Sequence, residues 1–343
     1  MLTGQSLRWQ EWTLNKLEAL SDSVGQTPLI QLHHTHINLF CKLEFLNLTG
    51  SIKVRPALYV LSEAIKRGDI TEHTIVVESS SGNFAIALAT ICKMVAIRFI
   101  AVIDPNISSM TEKLLKHMAY EVVKVSQRDE TGGYLLNRLE RVRQLQSRIS
   151  DCYWTNQYGN FDCFRAYYVG LGPELADRFD SLDYAFVGVG SGGTVTGLSK
   201  LLRERYPAIK IIGIDTVGSV IFDQPPRKRY IPGIGSSIKP GLLAEASIDE
   251  VIHVSEPDAA ITCREIFERH GLFVGGSTGS VYYAIQQYFA VSDRSIRPTV
   301  VFLGTDGGTP YLDTIYNPEW VDWLHSQEAD FESSIPCHRG AAP

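Results

Sequence analysis

The residues best suited to chemistry fall in three short stretches of a 343-residue chain. The first is "FVGVGSGGTVTG", 186–197, where an apolar run ends in Gly188, Gly190, Gly192 and Gly193 and small helix-compatible residues follow. A strand that feeds a glycine turn and opens a helix presents free N–H groups and the positive end of the helix dipole, which together suit an anion. Backbone without Cβ lets successive N–H groups close on a phosphate, and Ser191 and Thr194 add hydroxyls. A tight turn alone would use one or two of these glycines. The second stretch is "TGSIKVRPALYVLSEAIKRG", 49–68, where a helix is predicted from about Arg55, with Pro56 in its first turn and Gly68 closing it. Lys53 then sits at the helix start, where the dipole and Arg55 disfavour its charged form. A lysine of lowered pKa is what a Schiff-base nucleophile requires, although a single lysine is ordinarily a solvated side chain. The third stretch is "VVESSSGNFAIALA", 76–89, with a strand ending at Glu78 and a helix from about Asn83. Ser80, Ser81 and the N–H groups of Gly82 and Asn83 offer a second anion cradle, of a size for a carboxylate; plain capping would need only one serine.

The glycine turn also admits a dinucleotide. "GVGSGG" fits G-x-G-x-x-G, and Asp215 ends the next strand where a ribose-binding acid would stand. Against this, the turn lies in mid-chain with no second mononucleotide half after it. A P-loop is excluded, because no Gly-Lys-Ser/Thr follows.

These stretches need rigid elements to bring them together. Apolar β-branched segments recur as "LFCKLEF", "TIVVES", "IRFIAVID", "EVVKVS", "YAFVGVG", "KIIGID", "VIHV" and "TVVFLGT". Helical patterns over 83–94, 110–119, 133–147, 194–205, 257–270 and 279–290 separate most of them. Strands alternating with helices imply an α/β fold with mostly parallel sheet, and a site at the strand C-termini. A formal charge of −6 argues against nucleic acid, and no apolar run is long enough for a membrane span. The first twenty residues lack a signal-peptide pattern and read as a partly helical lead-in. The six cysteines show no CxxC pair or zinc spacing; they read as reduced thiols of a cytoplasmic protein, with Cys41 and Cys92 in the core.

"SIK" before a helix, "SSSGNFAIALA", "NQYGN", "GSGGT", "PGIGSS" and "GGSTGS" occur in this chain in the order that resembles the cysteine synthase/cystathionine β-synthase branch of fold-type II pyridoxal phosphate enzymes. The resemblance spans about 20–316. It implies two domains, each a mostly parallel twisted sheet flanked by helices: a larger cofactor domain of 1–44 plus 155–325 and a smaller mobile domain of 45–154. A tail, 326–343, is expected to lack fixed structure. It implies that Lys53 binds pyridoxal phosphate covalently, that Asn83 bonds the ring hydroxyl, and that Gly190, Ser191, Gly192, Gly193 and Thr194 hold the phosphate. Thr305 or Asp306 would face the ring nitrogen, since "LGTDGGTPYLD" lacks the usual Pro-x-Ser. Ser80, Ser81, Gly82, Asn83 and Gln157 would hold the substrate carboxylate, with Gly235 in the loop beside its amino group. A homodimer acting on amino-acid substrates is implied as well. Phe84 and Ala85 replace the usual Thr and Gly, which argues against a simple cysteine synthase. "DSVGQTPLIQLH", "GGYLLNRL", "GSVIF", "PGIG" and "GGSTGS" resemble in particular a subgroup that joins O-phospho-L-serine to L-glutamate, through an aminoacrylate, on the way to 2,3-diaminopropionate and siderophore-type products. Arg138, Tyr158 and the run Arg227, Lys228, Arg229 supply candidate contacts for these anions, although each also reads as an ordinary surface residue. Sulfide as acceptor, or a chain that keeps the fold without activity, are the alternatives.

Overall fold

The computed structural model describes residues 4–290 and 297–334. In chain order the strands are β1 (Leu29–Leu32), β2 (Asn38–Lys42), β3 (Ile75–Ser79), β4 (Arg98–Ile103), β5 (Glu121–Lys124), β6 (Cys152–Trp154), β7 (Tyr184–Gly188), β8 (Lys210–Thr216), β9 (Glu250–Val254) and β10 (Thr299–Leu303). The helices are α1 (Gly4–Ser21), α2 (Val54–Arg67), α3 (Asn83–Met94), α4 (Ser109–Met118), α5 (Leu135–Arg148), α6 (Asp162–Ala166), α7 (Gly172–Ala176), α8 (Gly193–Arg205), α9 (Glu256–His270), α10 (Gly276–Tyr288) and α11 (Pro318–Ser334). One sheet has the order β1-β2-β10-β7-β8-β9, the other β5-β4-β3-β6. Every pairing is parallel except β1 with β2.

The period of two sorts each central strand between two cores. Tyr184 and Phe186 of β7, with Val300 and Phe302 of β10, pack on the α9, α10 and α11 side of the larger sheet. Ala185, Val187, Val301 and Leu303 pack on the other side, with Leu171, Leu175, Leu198 and Leu202. In the smaller sheet Phe99, Ala101 and Ile103 meet α1, α2 and α3, while Ile100 and Val102 meet Val142 and Leu145 of α5. Burial on both faces is why these strands read as unbroken apolar runs.

The expected helices form within a few residues of their predicted bounds. The tail is different: α11 runs to Ser334, so residues 326–334 are helical rather than unstructured. Val321 and Leu324 are buried in the larger core, and Trp323 packs edge-on against Tyr230. That docked face holds the helix, which its polar composition concealed. Cys337 lies outside the described residues; Cys41 and Cys92 are buried as expected.

Candidate active site

Parallel pairing sends the exits of β3, β6, β7, β8 and β10 to the C-terminal edges of the two sheets, where the three candidate stretches lie. The segment before α2 is pinned to the exit of β10: Ile52 N–H donates to the Thr305 carbonyl at 2.8 Å, and Ser51 forms a β-bridge with Asp306. Lys53 is thereby carried to the glycine turn, its Nζ 3.4 Å from Ser191 Oγ. Lys53, Pro56, Phe84, Gln157, Cys163, Tyr167, Ser191 and Gly193 line one small cavity. Burial lowers the Lys53 pKa, while Cys163, Asp306 and Glu78 oppose it. This corrects the expected cause, because Arg55 is spent elsewhere: it binds Glu44 and Glu174 in a buried cluster.

The glycine turn opens α8 as expected. Gly192 takes φ +83°, a left-handed conformation that lets the chain turn into α8. Helices α2, α3, α8 and α10 begin here without a side-chain cap. At the exit of β10, Thr305 Oγ1 shares a 2.7 Å bond with Ser277 Oγ and lies 3.4 Å from Thr278 Oγ1. Asp306 Oδ2 accepts from Asn83 Nδ2 at 2.7 Å and from the Tyr311 hydroxyl at 2.6 Å. Asp306 Oδ1 is buried without a partner, and burial raises the pKa of this carboxyl.

The serine loop is already engaged. Ser80 Oγ accepts long bonds from the Gly82 and Ala85 N–H groups, 3.4 and 3.3 Å. Ser81 Oγ pairs with Asp104 and accepts from Arg138 Nη1 at 3.0 Å. Arg138 also lies 3.2 Å from the Asp104 carboxylate, so this cation of α5 belongs to the serine loop. Gln157 Nε2 donates to the Ser79 carbonyl at 3.2 Å. Tyr158 follows it, half-buried and facing both Arg138 and Arg229, while burial raises its pKa. Gly235 brings its loop against Arg229 Nη1. Of the basic run, Lys228 is exposed over the Tyr230 ring, while Arg229 lies against Gly235 and Ser237 and feels the charges of Glu256, Asp215 and Tyr158.

Three carboxylates escaped the sequence reading as site elements. Glu78, fully buried at the end of β3, accepts from Thr155, from Gln157 N–H and from Ser79 N–H, and so fixes the 155–157 loop. Asp104 holds Ser81 and Arg138. Glu256 accepts the Tyr230 and Ile231 N–H groups at 2.6–3.0 Å and fixes the chain just after Arg229. Each was visible only as one acid near a strand end. Asp215 disappoints the dinucleotide reading: it is fully buried, accepts Thr216 N–H at 2.8 Å, and presents nothing to a ribose.

The family model described as "Pyridoxal-phosphate dependent enzyme" matches residues 20–306. The chain is 42% identical over 317 residues to the N-(2-amino-2-carboxyethyl)-L-glutamate synthases of Ralstonia nicotianae and Cupriavidus metallidurans, covering 91% of this chain and 93% of each relative. Its fold is similar to an O-acetylserine dependent cystathionine β-synthase from Helicobacter pylori, TM-score 0.80, at 28% identity over 87% of this chain and 98% of that one. It is also similar to a hydrogen sulfide-producing enzyme from Fusobacterium nucleatum, TM-score 0.77, at 28% identity over 85% and 99% of the two chains. The chain belongs to the pyridoxal-phosphate dependent enzymes of fold-type II, in the cysteine synthase-like branch that carries out β-replacement.

Proposed function

We propose that the enzyme replaces the phosphate of O-phospho-L-serine with the amino group of L-glutamate, forming N-(2-amino-2-carboxyethyl)-L-glutamate and phosphate. The observation that carries this reading is the pair of guanidinium groups, Arg138 from α5 and Arg229 from the larger sheet's loop, whose charges both act on Tyr158. A phosphate leaving group and an acidic acceptor need such cations; an acetyl group and sulfide do not. The 42% identity to the two glutamate-using synthases supports the same choice.

The residues fit the family's cofactor. The start of α8 and the Gly190–Thr194 turn suit its phosphate, and a half-buried lysine of lowered pKa stands 3.4 Å from that turn. We assign the ring hydroxyl to Asn83 and the ring nitrogen to Thr305. Asp306 is spent on Asn83 and Tyr311, with its free Oδ1 toward Gly275. Pyridoxal phosphate, when bound, supplies an electron sink for the pair left at Cα when the α-proton departs. Lys53 Nζ, whose pKa burial lowers, takes that proton and returns one at the end of the reaction. Ser80, Ser81, Gly82 and Gln157 hold the serine carboxylate and so fix which Cα–H bond faces Nζ. Phe84 in the cavity wall excludes water from the reacting carbons.

The test supplies phosphoserine or acetylserine with either glutamate or sulfide and follows products by mass. The expected result is a glutamate adduct with release of phosphate. Cysteine from acetylserine, with no adduct from phosphoserine and glutamate, would identify the enzyme as a cysteine synthase instead.

A further inference from the structure

The two guanidinium groups that act on Tyr158, Arg138 and Arg229, are unequally committed. Arg138 forms an ion pair with Asp104, 3.2 Å from its Nε, and donates from Nη1 to Ser81, although Nε itself makes no hydrogen bond; Arg229 has no such ion pair among the described residues. Arg229 donates from Nη2 to Ser237 Oγ at 3.0 Å, and its Nη1 is buried without a partner. The acids that face it are Glu256 and Asp215. The oxygens of Glu256 are taken by the Tyr230 and Ile231 N–H groups; Asp215 accepts Thr216 N–H at Oδ1, and its Oδ2 is buried without reaching any donor, the Arg229 guanidinium included. Burial accordingly disfavours the Arg229 charge more than these neighbours restore it. A guanidinium with an unspent, shielded N–H group is a costly feature unless an anion completes it.

The local backbone is built for this side chain. Gly235 takes φ +74°, and a Cβ there would stand 2.8 Å from Nη1 and 2.5 Å from Thr216 Cγ2. Only glycine keeps that conformation and leaves the guanidinium its place. Glu256 fixes the two residues that follow, so the fork is held ready before any ligand arrives.

We propose that Arg229 holds the side-chain carboxylate of the incoming amino acid and thereby selects an acidic acceptor, with Arg138 and Ser81 left to the first substrate. This rests on the reading of glutamate as acceptor. It divides the two substrates between the two sheets: the serine loop and α5 belong to the smaller, the Arg229 loop to the larger.

The experiment uses holoenzyme with Arg229→Gln and Arg229→Lys, each checked for bound cofactor and thermal midpoint. Three readouts separate the steps: phosphate released from phosphoserine in one turnover without acceptor, KM for glutamate, and the rate with glutamine in its place. Arg229→Gln should raise the glutamate KM about tenfold or more, the loss of one charge-assisted contact. The preference for glutamate over glutamine should collapse, with phosphate release much less affected and Arg229→Lys recovering part of the loss. An unchanged glutamate KM, or an equal loss in phosphate release, overturns the assignment. A wild-type enzyme that forms no glutamate adduct overturns the acceptor reading itself, which the variants alone would not do.

Discussion

Burial is what lowers the Lys53 pKa, and the acidic groups around it, Cys163, Asp306 and Glu78, work in the other direction. The amine must be neutral to attack an aldehyde, so its pKa governs cofactor loading. Loading of apoenzyme, followed by visible absorbance, should reach its plateau below the ordinary lysine range near ~10.4. Borohydride reduction of the holoenzyme should trap the cofactor on Lys53, and Lys53→Ala should lose the trapped adduct. Recovery of the adduct on Lys42 would overturn the assignment. Lys42 is the relevant control because it is buried, but it is bound to Glu174 at 2.7 Å and to the Thr27 carbonyl.

At the scale of elements, α2 is anchored by a buried cluster two residues beyond Lys53. Arg55 binds Glu44 through Nε and Nη2, 2.6 and 2.8 Å, and Glu174 through Nη1 and Nη2, 2.7 and 2.9 Å. It thus ties the first turn of α2 to the segment after β2 and to α7. Burial pushes the Glu174 carboxyl up, but Arg55 and Lys42 outweigh it and hold the pKa at about 2. The stability this contributes is complete above the normal carboxylate range and is lost as pH falls toward about 2. Arg55→Met leaves Glu44 buried without its cation and should cost roughly 3–5 kcal/mol in urea unfolding at neutral pH. A loss below ~1 kcal/mol would place the cluster among the exposed ion pairs, which contribute little.

The same cluster shows what the sequence made legible. Lys53, Asn83 and the glycine turn announced themselves because glycines and hydroxyls at a strand-to-helix junction have few other uses. Arg55 looked like a neighbour of Lys53, since nothing local reveals Glu174, 119 positions away. The strand β6 was missed because three half-buried residues, "CYW", give no periodicity. The helical stretch from Asp162 to Ala176 was missed because a π-helical turn over Tyr167–Leu171 and the pair Gly172–Pro173 interrupt its pattern.

For the whole molecule, the strand order carries a consequence for how the chain is made. The smaller sheet uses only strands between residues 75 and 154, so its pairings are complete midway through synthesis. The larger sheet is not: β10 lies between β2 and β7, so those two strands have no mutual pairing and wait for residues 299–303. Until then the nascent chain carries a finished module beside two open strand edges, a hazard that favours association with other chains. Thr305 and Asp306, to which the Lys53 segment is pinned, emerge later still. The catalytic pocket is therefore completed only after β10 has emerged, and cofactor capture reports that both sheets have closed. A chain ending at residue 290 should keep a protease-resistant fragment covering β3 to β6 and form no reducible adduct at Lys53; an adduct in that fragment would show that the pocket closes without its final strand.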